Sequence, residues 1–485
     1  MKPQLIFQQV EGVALMPARG RLSYILLNMK RRLFVQSGSA AVALALTGCG
    51  GGGSSAADPS TASVETSPAL PSASPPPPAA STTPPPTPAP APPEVPLSGT
   101  SYPFGARLNR YAAGILPTQS ASTMDAVLTA QYDAWKAARI VSANSIVPGG
   151  LAVQFSKASY MAVSEGMGYG MLLAALFAGH DPQAQTLFDG LLAVVRARPA
   201  YAVIPFDANG KYLMDWRINA NGTSGGNGWN AMDGDLDIAM ALLMADRQWG
   251  STGARNYLQE GKNTIAALKS WNMKADGTTK GLPSANNNRT SDYMIGHFRA
   301  FKAATGDTLW DVAVNRAYQL LDRMQSVYSP GVGLMPDFVI NTQTSTPAPS
   351  TGYIGDGNAN EGHFWWNACR NPWRFASDYL LSGDARFAGV TGKMIDFFKA
   401  SSGGDPVKIG TGYALDGTKL TGGNSPAYHG PICAGACVDA RFQGFLDAMW
   451  NWNVKHLTTG YYDGEIQLLS MVVASGNWWT PGTAR

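Results

Sequence analysis

Charged side chains are scarce in this sequence. Asp, Glu, Lys and Arg make up only 14% of its 485 residues, and the formal net charge is +3. The basic residues form no long run, which argues against a nucleic-acid partner. Hydrophobic residues, at 45%, are sufficient for a large core. The low charge density, together with 13 Trp and 18 Tyr, favours a protein that packs aromatic faces against sugar rings.

Cysteine is also rare, and one of the four residues lies in an N-terminal targeting pattern. A basic region at 30–32 precedes an apolar run that ends in Leu-Thr-Gly-Cys at 46–49. This order is typical of a bacterial lipoprotein signal, so we predict a signal peptide over residues 1–49 with lipidation at Cys49. The alternative is a transmembrane anchor, for which the apolar run is short.

This pattern predicts an exported protein that is lipid-anchored to the bacterial outer membrane or cell surface, or released extracellularly. The lipid would be its only membrane contact. Gly50, rather than Asp, after the lipidated residue resembles outer-membrane sorting. Met29 is an alternative start, because the 28 residues before it are unusually long for such a signal.

The other cysteines allow at most one disulfide. The favoured pair is Cys433 with Cys437, across what we predict to be a short Ala-Gly-Ala loop. A metal site is the alternative, with His429 nearby, but Cys369 would have to converge on it. We therefore expect no metal and no cofactor.

Composition divides the remaining chain into two parts. Residues 50–97 are rich in Pro, Ser, Ala, Thr and Gly, which predicts a disordered linker. Residues 98–485 have the composition of one globular domain, which we expect to be monomeric.

The domain is predicted to be all-α. Glycine-containing turns recur at 179–182, 250–253, 306–307 and 383–384, which indicates repeated helical hairpins. Their spacing is too irregular for a solenoid, so we expect a closed double ring of helices. Apolar residues recur with a period near 3.6 in the segments 122–138, 162–177, 183–197, 235–249, 254–271, 293–304, 309–326, 367–381, 385–400, 440–452 and 465–474.

Two acidic stretches carry the strongest chemical signal. One is Ser164-Glu165-Gly166-Met167-Gly168-Tyr169, and the other is Met232-Asp233-Gly234-Asp235-Leu236-Asp237. Each places a carboxylate at the start of an apolar helical segment, beside small residues that leave room for a ligand. Carboxylates held apart on a rigid scaffold are what glycosidic bond cleavage requires.

The second stretch, continued to Trp249, resembles the signature of glycoside hydrolase family 8, with Met232 where that family usually has Ser or Thr. The Glu165 segment resembles the general-acid block of the same family. Further similar blocks are 291–294 and 367–374, so the resemblance spans about residues 100 to 475. It implies an (α/α)6 barrel of helical hairpins that hydrolyses β-1,4-linked glycans with inversion.

The resemblance implies that Glu165 is the general acid and that Asp233 contacts the sugar in the cleavage subsite. Taken alone, Glu165 could simply interact with the helix dipole. Asp233 could also cap its helix. Asp235 and Asp237 are placed as capping or supporting groups, and Asp235 is also a candidate for substrate binding.

The general base departs from the usual pattern. Many members have Asp directly before the last block, whereas this chain has Asn367, which cannot accept a proton from water. It resembles a subfamily, including chitosanases and mixed-linkage glucanases, that takes its base from the preceding loop. The acids of that loop, 355–362, are Asp356 and Glu361, and we favour Glu361 slightly. The alternative is an ordinary solvated turn.

Other candidates for substrate binding lie near these blocks. Trp216 and Trp229 fall in polar or glycine-rich segments and are candidates for stacking on sugars, whereas Trp249, Trp271 and Trp310 are expected to be structural. Arg370 is a candidate for bonding the loop carboxylates or a sugar hydroxyl, with a helix salt bridge as the alternative. The remaining candidates are Asp292, Tyr293, Asn367, Tyr461 and Tyr462.

The predicted partner is a β-1,4-linked polysaccharide. Cellulose, mixed-linkage β-glucan, xylan and chitosan all fit the resemblance, and we favour β-glucan or chitosan. Two other classes stay open at this point: a glycan-binding lipoprotein without turnover, and a polysaccharide lyase on a similar barrel. The missing Asp at position 367 supports the first, and the weak basic character of the chain argues against the second.

Overall fold

The computed structural model describes residues 100–156, 158–280 and 287–481. The predicted signal peptide, the lipidated Cys49, the linker 50–97 and the domain start at residue 98 lie outside this part of the chain. Helices dominate what is described. They are α1 Ala121–Arg139, α2 Ser164–Leu176, α3 Ala184–Ala197, α4 Met232–Trp249, α5 Tyr257–Asn272, α6 Ile295–Thr305, α7 Leu309–Arg323, α8 Asn371–Ser382, α9 Ala385–Ser402, α10 Pro426–Ala436, α11 Gln443–Lys455 and α12 Asp463–Ala474.

These helices form two concentric rings. The even-numbered helices make the inner ring, in which each contacts the next and α12 closes against α2. The odd-numbered helices lie outside, and each inner helix packs against the outer helix that follows it in the chain, with α12 packing against α1. The predicted all-α (α/α)6 barrel is therefore confirmed.

The sequence explains which helices lie inside. Almost every residue of α2, α4 and α12 is buried, including polar ones, because these helices are covered on all sides. Outer helices such as α7 bury one stripe, including Trp310 and Leu321, and expose the other side. Trp271 and Trp310 are buried, and Trp249 packs edge-on against Phe188, as expected of structural tryptophans.

Short antiparallel strands gather at one end of the barrel. They lie in the connections that lead from an outer helix to the next inner helix. Val163 pairs with Arg217, and Arg289 pairs with Phe338. The strands are β1 Ile140–Ser142 with β2 Leu151–Val153, β3 Tyr160–Val163 with β4 Arg217–Asn219, and a sheet of β5 Asn288–Arg289, β6 Phe338–Ile340 and β7 Ala348–Pro349.

The helix turns follow the glycine pattern. Gly306 and Gly383 adopt left-handed conformations at the ends of α6 and α8. The Asp384 side chain then accepts the main-chain N–H of Arg386 and caps α9. The predicted hairpins are confirmed at these two turns.

Helix α10 was not predicted, and its presence corrects the proposed disulfide. It contains Pro431 and is apolar all round, so it lacks a helical stripe. Cys433 and Cys437 are free thiols here, since the segment between them is helical rather than a loop. The Cys437 thiol faces the main-chain carbonyl of Cys433 at 3.7 Å.

No helix in the described part of the chain is long and apolar enough to cross a membrane.

Glycine allows the two inner helices α2 and α4 to cross closely where each begins. A Cβ added at Gly234 would lie 2.5 Å from the carbonyl carbon of Ser164, and one at Gly168 would lie 2.8 Å from Cβ of Asp237. Real Cβ atoms do not tolerate such contacts, so the helices would have to separate. The crossing therefore fixes how far apart their first turns can lie.

Replacing Gly234 with Ala should therefore destabilise the fold. We expect the free energy of unfolding to fall by about 1–3 kcal/mol, the range for overpacked cores, measured by chemical denaturation. Gly253→Ala is the matched control, because its new Cβ would meet open space and its φ is not positive. We expect the control to change stability by less than about 1 kcal/mol. Equal losses in both variants would contradict the close-crossing argument.

Candidate active site

The site lies where inner helices α2 and α4 begin. Strand β3 ends at Val163, and the Ser164 N–H donates to the carbonyl oxygen of Trp216 at 2.9 Å. This bond continues the β3–β4 pairing to the point where the chain turns into α2. Glu165 consequently stands in the first turn of α2, at the end of the barrel that carries the strands.

Glu165 is held from three sides. The Arg370 guanidinium forms an ion pair with Oε1, and the Tyr169 hydroxyl lies 3.2 Å from the same oxygen. The Tyr461 hydroxyl donates to Oε2 at 2.8 Å. The side chain of Glu165 is 16% exposed, whereas that of Arg370 is buried, so Glu165 is the member that a ligand can reach.

The environment of Glu165 favours its protonated form. Burial raises its pKa, and the negative charge of Asp233 raises it further. The positive charge of Arg370 opposes both, but burial has the larger effect. A carboxyl group with a raised pKa is suited to donating a proton.

Asp233 is the ionised counterpart of Glu165. It accepts from Arg370 at 3.1 Å and from Arg289 at 3.0 Å. Burial alone would raise its pKa, but these two cations lower it to about 2. The predicted capping role is wrong, because Ala231 occupies the cap position and Asp233 bonds only the N–H of adjacent Gly234 within its helix.

Arg370 connects the two helices to a third. It lies in the 3₁₀ turn Ala368–Arg370 that precedes α8. One of its nitrogens, Nη1, reaches Glu165 and Asp233, while Nη2 donates to Ser291 Oγ and Asn367 Oδ1, each at 2.9 Å. It therefore contacts the helix carboxylates directly and reaches the acidic loop only through Asn367.

The acidic loop is built around Glu361. This carboxylate is completely buried and accepts the main-chain N–H groups of Ile354, Gly355 and Gly357 at 2.7, 3.0 and 2.8 Å. The Ser350 hydroxyl adds a contact at 3.3 Å. Glu361 thus stabilises the loop from inside, and both of its carboxylate oxygens accept main-chain hydrogen bonds.

Asp356 is the loop carboxylate that faces the site. Its side chain is exposed, and its Oδ2 accepts from Asn367 Nδ2 at 2.5 Å. Because Asn367 also accepts from Arg370, a short series of contacts joins Asp356 to Glu165. The structure brings Glu165, Asp233, Asp356, Asn367 and Arg370 into one cluster.

Asp337 is a member of the cluster that the sequence analysis missed. It is buried just before β6 and accepts the main-chain N–H groups of Trp365, Asn367 and Ala368 at 2.7–3.0 Å. It also accepts from Asn367 Nδ2 at 3.0 Å. Burial raises its pKa to about 7, against the effect of these hydrogen bonds. In the sequence, only the apolar neighbours Met335 and Phe338 indicate that Asp337 could be buried.

Arg289 and Asp292 complete the charged set. The first was not predicted, and it bonds both Asp233 and Asp292, the latter at 3.2 Å. The Oδ1 atom of Asp292 is buried and has no hydrogen-bond partner within residues 100–156, 158–280 and 287–481. Burial raises the Asp292 pKa to about 6, although Arg289 opposes it. This predicted binding residue therefore holds a buried oxygen without a hydrogen bond beside the site.

The predicted stacking residues lie beside one another. The main-chain N–H of Trp216 donates to the main-chain carbonyl oxygen of Trp229 at 2.9 Å, and both residues are partly exposed. The Trp229 ring stacks against Trp271 with centroids 6.2 Å apart. Two exposed rings that the sequence analysis did not select, Phe206 and Tyr201, border this group.

Three predicted binding residues face the protein instead. Asp235 is fully buried and accepts the N–H of Met214 and the Asn230 amide, each at 2.9 Å, so it anchors a loop. Tyr293 is buried and donates to Asn288 at 2.9 Å. The Tyr462 hydroxyl donates to the carbonyl oxygen of Trp366. These bonds leave none of the three polar groups directed at a ligand.

The described residues contain no group of three or more His, Cys, Asp or Glu side chains that could hold a metal ion. Both ring nitrogens of His429 lie 2.9 Å from main-chain carbonyls.

A protonated acid and an ionised carboxylate at one end of an (α/α)6 barrel are groups that an O-glycosyl hydrolase uses, and the relatives show that the chain is of this class. The model of Glycosyl hydrolases family 8 matches residues 107–476, and the chain belongs to this family.

Relatives in the same family cover most of this chain. A β-glucanase from Niallia circulans is 36% identical over 78% of this chain and 91% of its own length. An endoglucanase from Bacillus sp. strain KSM-330 is 32% identical over 78% of this chain and 82% of its own length.

Solved structures agree on the fold. The apo structure of a β-1,3-1,4-glucanase from Paenibacillus sp. X4 is 36% identical, covers 78% of this chain and 99% of its own, and has a TM-score of 0.73. A cold-adapted family 8 xylanase, at 18% identity, covers 80% of this chain and 99% of its own, with a TM-score of 0.63. The second likeness concerns the fold alone.

Proposed function

We propose that this protein is an endo-acting β-glucanase that cleaves β-1,4 linkages with inversion of the anomeric centre. The observation that carries the proposal is the series of contacts from Glu165 through Arg370 and Asn367 to Asp356. It holds a carboxyl group that favours its proton and an exposed carboxylate in one site. Membership of a hydrolase family makes a non-catalytic binder or a lyase the weaker interpretation.

β-Glucan is favoured over the other backbones. The relatives at 32–36% identity are described as β-glucanase, endoglucanase and β-1,3-1,4-glucanase. Chitosan is cationic and would require an acidic cleft, but Arg289 and Arg370, both paired with Asp233, place two positive charges at its centre. The charge of the site therefore suits a neutral glycan.

The mechanism assigns one proton transfer to each end of the site. Glu165 donates its proton to the glycosidic oxygen as the bond to the anomeric carbon breaks. Asp356 accepts a proton from a water molecule, which attacks that carbon from the opposite face. Inversion needs about 6.5–9.5 Å between the two carboxyl groups, with water between them. The ionised Asp233 would stabilise positive charge that develops on the sugar ring.

Asp356 replaces Glu361 as the favoured base. A base must expose a free oxygen to water, and Glu361 is buried with both oxygens engaged by the main chain. Asp356 is exposed and receives a single side-chain hydrogen bond from Asn367. The slight preference for Glu361 drawn from the sequence is therefore reversed.

We also propose that the aromatic residues beyond Glu165 support the distal sugars. A Cβ added at Gly228 would lie 2.7 Å from the Tyr201 ring, so that ring covers the main chain next to Trp229. Phe206 lies 6.2 Å from Trp271, centroid to centroid, and is 75% exposed. Trp216 is joined to Trp229 by a main-chain hydrogen bond, and we call Tyr201, Phe206, Trp216 and Trp229 together the aromatic strip.

The cellular setting remains the one that the sequence predicts. The protein would be exported and lipid-anchored through Cys49, with a linker over 50–97 that separates the catalytic domain from the membrane. A monomeric domain at the end of such a linker could reach a polymeric substrate.

Glu165→Gln tests the acid and the stereochemistry. We expect kcat on barley β-glucan to fall by about 10²–10⁴-fold, the usual contribution of a general acid, measured as new reducing ends. Because burial raises the pKa of Glu165, wild-type activity should be lost only as the pH rises through that raised pKa. Proton NMR of the wild-type reaction should show the α-anomer first. A β-anomer formed first would contradict inversion, and chitosan as the preferred polymer would contradict the substrate assignment.

Azide separates the two loop carboxylates. Asp356→Ala should lower kcat by about 10²–10⁴-fold. Azide should restore part of the turnover, because it attacks the anomeric carbon without a base and displaces the protonated leaving oxygen; the product to measure is the glycosyl azide, which has no reducing end. Glu361→Ala should lower the melting temperature, since several buried N–H groups lose their acceptor. Azide should not raise the kcat of this variant. Rescue of the Glu361 variant alone would return the base to that residue.

The aromatic strip predicts a dependence on glycan length. The double variant Tyr201→Ala/Phe206→Ala should raise KM for the polymer about 3- to 10-fold, as expected when roughly one kcal/mol of aromatic contact is lost. kcat/KM on a short β-glucan oligosaccharide should stay within about twofold. The control is Val312→Ala, an exposed apolar residue near the start of outer helix α7. Equal effects on polymer and oligosaccharide would contradict the strip.

A further inference from the structure

We propose that Asn367 is a positioning residue that fixes the proposed base, Asp356, relative to Glu165. The inference rests on the proposed function in one respect, the assignment of Asp356 as base. The proposed role requires the amide group of Asn367. From the sequence alone, Asn367 showed only that the usual catalytic carboxylate is missing at this position.

Every strong hydrogen-bonding group of the Asn367 amide is used. Its Nδ2 has two hydrogens and lies 2.5 Å from Asp356 Oδ2 and 3.0 Å from Asp337 Oδ2. Its Oδ1 accepts from Arg370 Nη2 at 2.9 Å. Two acceptors on the nitrogen side and a donor on the oxygen side leave one orientation of the amide that satisfies all three neighbours.

A carboxylate at this position could not donate the two hydrogen bonds that the amide donates to Asp356 and Asp337. It would face two other carboxyl groups at hydrogen-bond distance without a proton to offer them. Carboxyl groups that share a site cannot all be ionised, so the cluster would retain a proton that Asn367 does not require. The amide therefore donates a hydrogen bond to Asp356 without adding a charge beside it.

Asp337 is the fixed support behind Asn367. It is completely buried and is held by the main-chain N–H groups of Trp365, Asn367 and Ala368. The same carboxylate therefore fixes both the main chain and the side-chain amide of Asn367. With its own position set by the turn before α8, the amide has little freedom to follow Asp356 if the loop moves.

The other contacts of Asn367 and Asp356 set the distance between base and acid. Arg370 bonds Asn367 through Nη2 and Glu165 through Nη1, so one rigid guanidinium spans the interval. The loop that carries Asp356 is fixed independently from inside by Glu361. Asp356 is thus held from its own loop and from the α8 turn, and only its unshared oxygen is left for water.

The experiment compares Asn367→Ala and Asn367→Asp in the full-length enzyme on barley β-glucan. Asn367→Ala should lower kcat by about 10- to 100-fold, as for a misplaced catalytic group, with KM within about threefold. Asn367→Asp should move the acidic limb of the kcat/KM profile upward by about one pH unit or more. The charged groups around the cluster are Asp337, Arg289, Arg370, Glu165, Asp233 and Asp292, and both variants leave them in place.

The matched control is Asn371→Ala. Asn371 is a buried asparagine one helical turn further on, and it bonds Thr290 Oγ1 at 2.8 Å instead of a carboxylate. It should lower the melting temperature without moving the acidic limb. If both Asn367 variants keep the wild-type acidic limb and a kcat within twofold, the inference is overturned.

The failure of this inference can be told apart from failure of the base assignment. If Asp356→Ala abolishes turnover and azide restores it, the base assignment stands whatever the Asn367 variants show. If Asp356→Ala keeps wild-type turnover, the base assignment is wrong and a positioning role for Asn367 falls with it. If a shift of the acidic limb occurs in Asn371→Ala as well, it reflects general loss of stability and also overturns the inference.

Discussion

The buried guanidinium of Arg370 is the interaction on which the site depends. Transferring such a charge from water costs several kcal/mol unless it is fully paired. Here the ionised Asp233 supplies the negative charge, and Glu165, Ser291 and Asn367 supply further oxygen acceptors. The cost is offset only when α2, α4 and the turn before α8 approach together. The geometry of the catalytic groups is therefore tied to closure of the barrel.

A second layer of charge repeats this arrangement one helical turn further along. Asp237 on α4 lies four positions after Asp233, and Arg374 on α8 lies four positions after Arg370. The two side chains pair through hydrogen bonds of 2.6 and 2.8 Å. Asp237 also lies 2.8 Å from the ring of His297 on α6. This layer is fully buried and shut off from ligands, so it joins three inner helices without taking part in chemistry. A pair of Asp and Arg side chains therefore lies at the ligand-binding end of the barrel, and a second such pair stabilises the packing of the inner helices.

The sequence was informative where a function depends on a local pattern. Glu165 and Asp233 each stand at the start of an apolar helix beside glycines, and both could be selected without a structure. Helix α10 was missed because it is apolar all round and contains Pro431. Asp337 lies thirty positions before Asn367, and no spacing links them. The choice between Asp356 and Glu361 depended on which of them the main-chain N–H groups of the loop surround, and composition carries no such information.

The balance of charge explains why a neutral residue belongs at position 367. Glu165, Asp233, Asp292, Asp337 and Asp356 share two nearby cations, Arg289 and Arg370. Both cations bond Asp233, which is ionised down to a pH of about 2, whereas burial raises the pKa values of Glu165, Asp292 and Asp337. Another acid would add negative charge to a set that already favours protons. An amide adds two hydrogen-bond donors and no charge, which lets one carboxyl group keep its proton for the leaving oxygen while another stays free to accept one from water.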